Sequence, residues 1–337
     1  MSLQGNQDAP ARAIVADIGG TNARFAVADL ATLALSDFQS VSCAEHASIV
    51  EAATAYAKSL ANPPAKAAFA IAAPVTGDTV DFTNSPWSFE RKSLAKAMGL
   101  DGLLVLNDFQ ALAMSLPYIA DADLTQIGGT APVEKATKLV LGPGTGLGTA
   151  GLVWSEAGWV AVPGEGGHIN LAPVHLGHLS LLQRMMGDRE HLSAERVISG
   201  LGICDLYRSV AAEHGREAEP LEARDIVERA TAKTDEIAVE TLEHFVAWLG
   251  SFAGDAALML GARGGVYLGG GIPVRILDIL KEGDFRRHFE AKGRMREAFL
   301  ASIPIYVIGA EAPALQGAAA ALREAVSRND DDLIGVD

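Results

Sequence analysis

Ala13-Ile14-Val15-Ala16-Asp17 runs into Ile18-Gly19-Gly20-Thr21-Asn22 and then into Ala23-Arg24-Phe25-Ala26-Val27-Ala28. An apolar run, a Gly-Gly break and a second apolar run form the pattern of a β-hairpin. Glycine lets the backbone turn tightly and approach an anion closely. The N–H groups of such a turn, with the Thr21 hydroxyl, can bond phosphate oxygens. Asp17, at a strand end, can orient hydrated Mg²⁺. A plain hairpin turn with a capping Asp explains the same residues, so the turn by itself leaves both readings open.

Working outward, a third strand is expected over Asp37–Cys43 and an Ala-rich helix over Ser48–Leu60, stopped by Asn62-Pro63-Pro64. Lys66–Ala72 reads as a strand, Asp81–Ser88 as a loop and Glu90–Met98 as a short helix. Leu103–Leu106 reads as a buried strand that runs into Asn107-Asp108, with a helix over Phe109–Leu116. Strands alternating with helices imply a mostly buried sheet covered by helices. After Pro117 the segment Tyr118–Thr137 is polar and irregular, a candidate lobe boundary.

A second strand–turn–strand unit follows: Lys138–Leu141, Gly142–Gly148 and Thr149–Trp154. It repeats the opening hairpin and suggests a duplicated architecture. From His175 to Ala262 the chain reads as mainly helical, with Phe245, Leu249, Phe252, Ala256 and Leu260 near helical period. His175 and His178 read as helix-entry residues. Gly265–Leu268 and Pro304–Ile308 read as strands, Pro313–Val326 as the final helix, and Asn329-Asp330-Asp331-Asp332 as a frayed tail.

Five further motifs carry candidate chemistry. Gly142–Gly148, including Gly144, Thr145 and Gly146, can cradle a second anion; it lacks the Gly-Lys-Ser/Thr of a Walker loop and the following helix of a dinucleotide fingerprint. Asp108 stands between a buried strand and a helix, where α/β folds build sites, though an N-cap explains it too. In Pro163-Gly164-Glu165-Gly166-Gly167-His168, Glu165 and His168 are of the type that grips sugar hydroxyls. No nearby Cys or second close His completes a metal set around His168. Ser193-Ala194-Glu195-Arg196 reads as a helix start with capping. Gly269-Gly270-Gly271-Ile272 would let a flat base lie on bare backbone, or is a strand-to-helix turn.

The length of 337 residues suggests two lobes. A formal net charge of −15 disfavours nucleic-acid binding, since no basic patch offsets it. Cys43 and Cys204 form neither a disulfide framework nor a zinc spacing, which suits a reducing compartment. The polar opening is not a secretory signal, and Phe245–Ala262, with Asp255 and glycines, reads as a buried helix rather than a membrane span.

Taken in order, Asp-x-Gly-Gly-Thr-Asn, Leu-Asn-Asp-Phe, Gly-Pro-Gly-Thr-Gly-Leu-Gly, Pro-Gly-Glu-Gly-Gly-His, Ser-Ala-Glu-Arg and Gly-Gly-Gly-Ile resemble the bacterial glucokinase family, within the hexokinase–actin–Hsp70-type ATPase fold. The resemblance runs from Asp17 to about Gln316. It implies an α/β, two-lobed actin-like ATPase (ribonuclease H-like) fold with a cleft. The expected small domain is 1–117 plus 312–337, and the large one is 118–311.

The implied reaction moves the γ-phosphate of ATP to the 6-hydroxyl of glucose, with Mg²⁺. The resemblance makes Gly19, Gly20, Thr21 and Asn22 the first phosphate loop, with Asp17 beside the magnesium. Gly144, Thr145 and Gly146 become the second loop, and Gly270 and Gly271 the adenosine end. Asn107, Asp108, Glu165, His168 and Glu195 match glucose-binding positions, and Asp108 matches the catalytic base. Asn84 and Trp87 look like part of the loop beside the sugar.

Two departures stand out. The family usually has Ser-Gly-Pro-Gly where this chain has Ser199-Gly200-Leu201-Gly202, and the Cys-rich zinc segment of the related repressor/sugar-kinase family is missing. The alternatives are a kinase of another hexose, such as fructose or an amino sugar, and a non-catalytic sugar-sensing regulator. Only about ten polar residues precede the first strand, too few for the DNA-binding module such regulators add. An actin-like polymer would leave the sugar-gripping set without purpose. A cytoplasmic enzyme without membrane or nucleic-acid partners is expected, and a homodimer by analogy with the family.

Overall fold

The hairpin expected around Gly19-Gly20 is present. The computed structural model describes residues 12–82, 87–328 and 333–334. The chain divides into two units, Met1–Ile119 with Glu311–Asp337, and Ala120–Ala310.

In the first unit, β1 (Arg12–Ile18) and β2 (Asn22–Asp29) pair antiparallel, with Asp17 opposite Arg24. β3 (Leu35–Ser42), β4 (Lys66–Ile71) and, after a small antiparallel pair β5 (Thr79–Asp81) and β6 (Ser88–Glu90), β7 (Gly102–Asn107) follow. The sheet order is β3-β2-β1-β4-β7, with β1, β4 and β7 parallel. Strands buried on both faces read as continuous apolar runs, as Ala13–Ala16 and Ala67–Ile71 do. Helices α1 (Ile49–Ser59), α2 (Arg91–Met98) and α3 (Asp108–Ser115) accompany it. Ser48 caps α1 by accepting from the Glu51 N–H.

The C-terminal helix, Pro313–Arg328, packs on α3 with an Ala-rich face. Its Gly317 allows the approach: a Cβ there would stand 1.7 Å from the Ala111 carbonyl oxygen. Arg323 donates to the Tyr118 hydroxyl at 2.6 Å beside the same contact. These contacts hold the helix that begins with Asp108.

The second unit opens with β8 (Leu124–Gly128), then β9 (Lys138–Pro143), β10 (Leu147–Ser155) and β11 (Gly158–Gly164). Helices α4 (His178–Met186), α5 (Gly200–Glu213), α6 (Ala223–Thr231) and α7 (Glu236–Leu260) follow. β12 (Val266–Leu268), α8 (Gly271–Arg275), α9 (Leu277–Glu282), α10 (Phe285–Glu290), α11 (Met295–Ala298) and β13 (Ile305–Ile308) complete it. The sheet runs β11-β10-β9-β12-β13-β8. Its first five strands repeat the first unit: two antiparallel pairings, then two parallel ones.

α7 is the apolar helix read from the sequence. Asp235 caps it through the Ile237 and Ala238 N–H groups, and Phe245, Leu249 and Phe252 are buried along it. Among the described residues no helix is long and apolar enough to cross a membrane. His178 is fully buried with its ring 3.8 Å from that of Trp248. Burial, helped by His175 and His244, pushes its pKa down to about 3, and burial also lowers that of His244.

Three details differ from the sequence reading. The loop expected over Asp81–Ser88 is flanked by β5 and β6, strands too short to show a period. Tyr118–Thr137 is not wholly irregular, because β8 lies within it and joins the edge of the second sheet. The sequence reading has no strand where β11 lies, an apolar Trp159–Val162 run that stays partly exposed at the sheet edge. The tail Asn329–Asp332 lies outside the described residues. Cys43 and Cys204 are free thiols, as the spacing implied.

Candidate functional site

The first set of residues gathers at the ends of β1 and β7. The turn between β1 and β2 is closed by a hydrogen bond from Gly19 N–H to the Asn22 carbonyl at 3.0 Å. Gly20, Thr21 and Asn22 are exposed. Cys43 clamps the turn from β3: its N–H donates to the Thr21 carbonyl at 2.8 Å and its thiol faces the Gly19 carbonyl at 3.5 Å. The turn's amides are therefore presented on a fixed frame, the arrangement that receives an anion.

Asp17 pairs with Arg24 across the hairpin at 3.1 Å. Burial raises its pKa, and the Arg24 charge opposes that rise. Asn107 caps α3: its Oδ1 accepts from Phe109 N–H at 2.9 Å, and its own N–H donates to Gln110 Oε1 at 3.0 Å. Its Nδ2 donates to the Ala73 carbonyl at 3.3 Å. Asp108 is thus not the cap but the first residue of the helix, accepting from Phe109 N–H at 2.9 Å. Burial, and then the Asp17 charge, push its carboxyl up to about 6. Two half-buried carboxylates that repel each other, with Arg24 as a countercharge to Asp17, form a donor set that a divalent cation fits.

The second set surrounds the turn between β9 and β10. Gly144 N–H donates to the Gly146 carbonyl at 2.8 Å, and Gly200 N–H donates to the Gly144 carbonyl at 2.8 Å. Glu195 does not cap a helix. It sits in a 3₁₀ turn, Ala194–Arg196, and its Oε2 accepts from Leu147 N–H at 2.9 Å. Gly146 leaves it room: a Cβ at that position would stand 2.3 Å from the Glu195 carboxylate oxygen.

Thr149 ties the same hairpin to the Glu165 turn, its hydroxyl accepting from Gly166 N–H at 3.0 Å. Ala194 N–H donates to the Ile169 carbonyl at 2.9 Å, so Glu195 and the 165–168 turn are held together. Glu165 and His168 have side chains 66% and 63% exposed and stand 4.0 Å apart. Neither side chain is spent on the fold, and both are open to a polar ligand. Gly270, with φ of 85°, precedes the start of α8 at Gly271, so this motif forms a strand-to-helix turn, and its exposed backbone leaves room for a flat base.

Asp17, Gly19–Asn22, Asn107 and Asp108 therefore come together in the first unit, and Gly144–Gly146, Glu165, His168 and Glu195 in the second. Asn84 lies outside the described residues. Trp87 is buried, edge-on to Phe82 with ring centroids 6.1 Å apart, so it belongs to the core of its unit. Sequence reasoning missed Arg24, Cys43, Thr149 and Gly200. The hairpin register could have found Arg24, since it places residue 24 opposite residue 17. Ser199-Gly200-Leu201-Gly202 keeps its turn without proline, because Ser199 Oγ accepts from Gly202 N–H at 3.0 Å.

The chain matches the family described as Glucokinase over residues 14–325. The glucokinase of Neisseria gonorrhoeae is 45% identical over 323 residues, which is 96% of this chain and 98% of that protein. The crystal structure of a glucokinase from an Antarctic psychrotroph is 36% identical, with a TM-score of 0.84, covering 93% of this chain and 98% of the other. A ROK family glucokinase from Streptomyces griseus, solved with glucose and AMPPNP, is 20% identical with a TM-score of 0.62, covering 91% and 98%. That last likeness concerns the fold alone, an actin-like ATPase fold.

Proposed function

The chain belongs to the glucokinase family, an ATP-dependent sugar kinase by descent, and from that premise we propose how its own residues divide the transfer to glucose. Asp108 takes the proton of the 6-hydroxyl as that oxygen attacks the γ-phosphorus. The new O–P bond forms as the bond to the β-phosphate oxygen breaks, giving glucose 6-phosphate and ADP. One observation carries this assignment: Asp108 is a half-buried carboxyl at the start of α3, raised to about 6 by loss of solvent and by Asp17. It is ionised at neutral pH yet far more basic than an ordinary aspartate, the balance a general base needs.

Phosphoryl transfer depends on alignment and charge stabilisation more than on covalent help. The Gly19–Asn22 and Gly144–Gly146 turns receive the phosphates on groups other than the Gly19 and Gly144 amides, which close the turns, and the exposed Gly270–Gly271 backbone lies along the adenosine. Glu165, His168 and Glu195 hold sugar hydroxyls, with Asn107 and the Asn84 segment contributing. Asp17 would hold Mg²⁺, which would supply positive charge against the phosphates. The net charge of −15 argues against nucleic-acid partners. Cytoplasmic location and a homodimer are proposed from the family, and the free cysteines suit the first.

The test is a coupled ADP-release assay of wild type and Asp108→Ala with glucose, fructose, mannose and N-acetylglucosamine. Glucose should give the highest kcat/KM, and the variant should lose about 10²-fold or more in kcat while glucose still binds. Near-wild-type turnover in the variant would remove Asp108 from the role. A different preferred sugar would move the specificity to another hexose.

A further inference from the structure

His175, His178 and His244 lie in the second unit, and none of them is among the residues assigned above. Each offers one ring nitrogen, and these nitrogens lie within 4.8 Å of one another. His178 begins α4, His175 stands in the turn before it, and His244 projects from α7, 66 residues later. Three imidazoles converging in this way form a donor set for a borderline divalent cation.

We propose that this cluster is a zinc-binding site, with His175, His178 and His244 as ligands and water as the fourth. In a tetrahedral site with Zn–N of about 2.0–2.1 Å, ligand nitrogens stand about 3.4 Å apart. His178 Nε2 and His244 Nδ1 already face each other at 3.0 Å. Their ring centroids are 4.9 Å apart at 73°, compatible with two rings aimed at one ion. His175 is exposed and its ring lies 3.8 Å from that of His178, tilted by 46°, so it must swing outward to ligate.

The surroundings are of the kind that support a metal. The other nitrogen of His244 faces Glu240 Oε1 at 3.6 Å, the carboxylate–histidine arrangement that orients zinc ligands. Trp248 walls one side of His178 and fixes its ring. Ligation through His178 Nε2 leaves that ring's proton on Nδ1, facing the Val174 N–H. The Val174 contact, 3.4 Å long and on a segment outside helix and strand, is the one given up.

The consequence is a staple. The 169–177 segment carries the chain from the Glu165–His168 turn to α4, and a bound zinc would tie its end to α7. Trp248 already holds that segment through a hydrogen bond from its Nε1 to the Ala172 carbonyl at 3.1 Å. The metal would reinforce the mounting of the 165–168 turn without taking part in phosphoryl transfer.

The experiment uses tag-free full-length protein, stripped with a chelator, then titrated with Zn²⁺ against a chromophoric competitor. Metal content after gel filtration is measured by mass spectrometry, and thermal unfolding is followed with and without zinc. Wild type should retain one zinc per chain and melt at a higher temperature with it. His175→Ala, an exposed substitution, should melt like the stripped wild type and bind zinc about 100-fold more weakly or worse. Glu240→Gln should weaken binding by about 10-fold. Failure of wild type to retain stoichiometric zinc overturns the proposal, leaving a hydrogen-bonded histidine stack. Equal zinc affinity in His175→Ala and wild type overturns it too.

Discussion

Strands β3-β2-β1-β4-β7 of the first unit and β11-β10-β9-β12-β13 of the second run in the same order and the same directions. Both place a glycine turn between their two central antiparallel strands. The turns are braced by different chemistry. In the first unit the brace is a backbone amide and a thiol of Cys43. In the second it is the Glu195 carboxylate on Leu147 N–H and the Gly200 amide on the Gly144 carbonyl. The first unit keeps its carboxylates, Asp17 and Asp108, half-buried and raised in pKa. The second leaves Glu165 and His168 in water. On the function proposed above, one strand plan carries two tasks: the first half manages proton and charge, and the second positions a polar substrate.

Asp108→Asn breaks this division most sharply. It should lower kcat by about 10²–10⁴-fold, read by ADP release, with glucose affinity within a few-fold by calorimetry. It should also stabilise the fold. A carboxyl whose folded pKa is raised contributes stability below its unfolded value near 3.8, and that contribution is lost as pH rises through about 6. Removing the charge should therefore raise the unfolding free energy by about 1–3 kcal/mol at pH 8 and by nothing near pH 3. Denaturant melts at the two pH values read the difference, and equal shifts at both would contradict the buried-charge account.

Gly317→Ala tests how the first unit mounts that carboxylate. The new Cβ would collide with the Ala111 carbonyl and push the C-terminal helix from α3. About 3 kcal/mol of stability should be lost, while unchanged melts would show that the helices yield freely.

Glu195→Gln tests the other brace. It keeps the shape but removes the charge from the hydrogen bond to Leu147 N–H, at a cost of about 2 kcal/mol, or about 30-fold in kcat/KM. Gly146→Ala should do similar damage by displacing the same carboxylate. The double variant should lose less than the sum, because both remove one brace. Additive losses would separate the two residues.

Cys43→Ala should have the smallest effect, about 1 kcal/mol on stability and a few-fold rise in KM for ATP. A loss as large as that of Glu195→Gln would mean that the thiol, rather than the amide, holds the first turn.

Much of this plan was legible in the residues. Continuous apolar runs mark β1, β4 and β7 because those strands are covered on both faces, and the Gly-Gly break marks the turn. The repeat of the opening hairpin at Lys138–Trp154 announced the second sheet. The three-residue strands β5 and β6 carry too little pattern to read, and β8 and β11 are edge strands whose residues are half wet. Asp108 looked like a cap because Asp caps helices, and only the structure shows Asn107 taking that place. The braces from Cys43, Thr149, Glu195 and Gly200 are tertiary: each joins segments far apart in sequence, which no local pattern reports. His175 and His178 likewise read as a helix entry until α7 brought His244 beside them.

The most direct test of Asp108 as the proton acceptor is the pH dependence of kcat/KM for glucose in wild type and in Asp108→Asn. Wild type should lose about tenfold per pH unit below about 6, as the carboxyl that Asp17 and burial have raised becomes protonated. The residual activity of the variant should be flat through that range. An acid limb that persists unchanged in Asp108→Asn would assign the proton to another group.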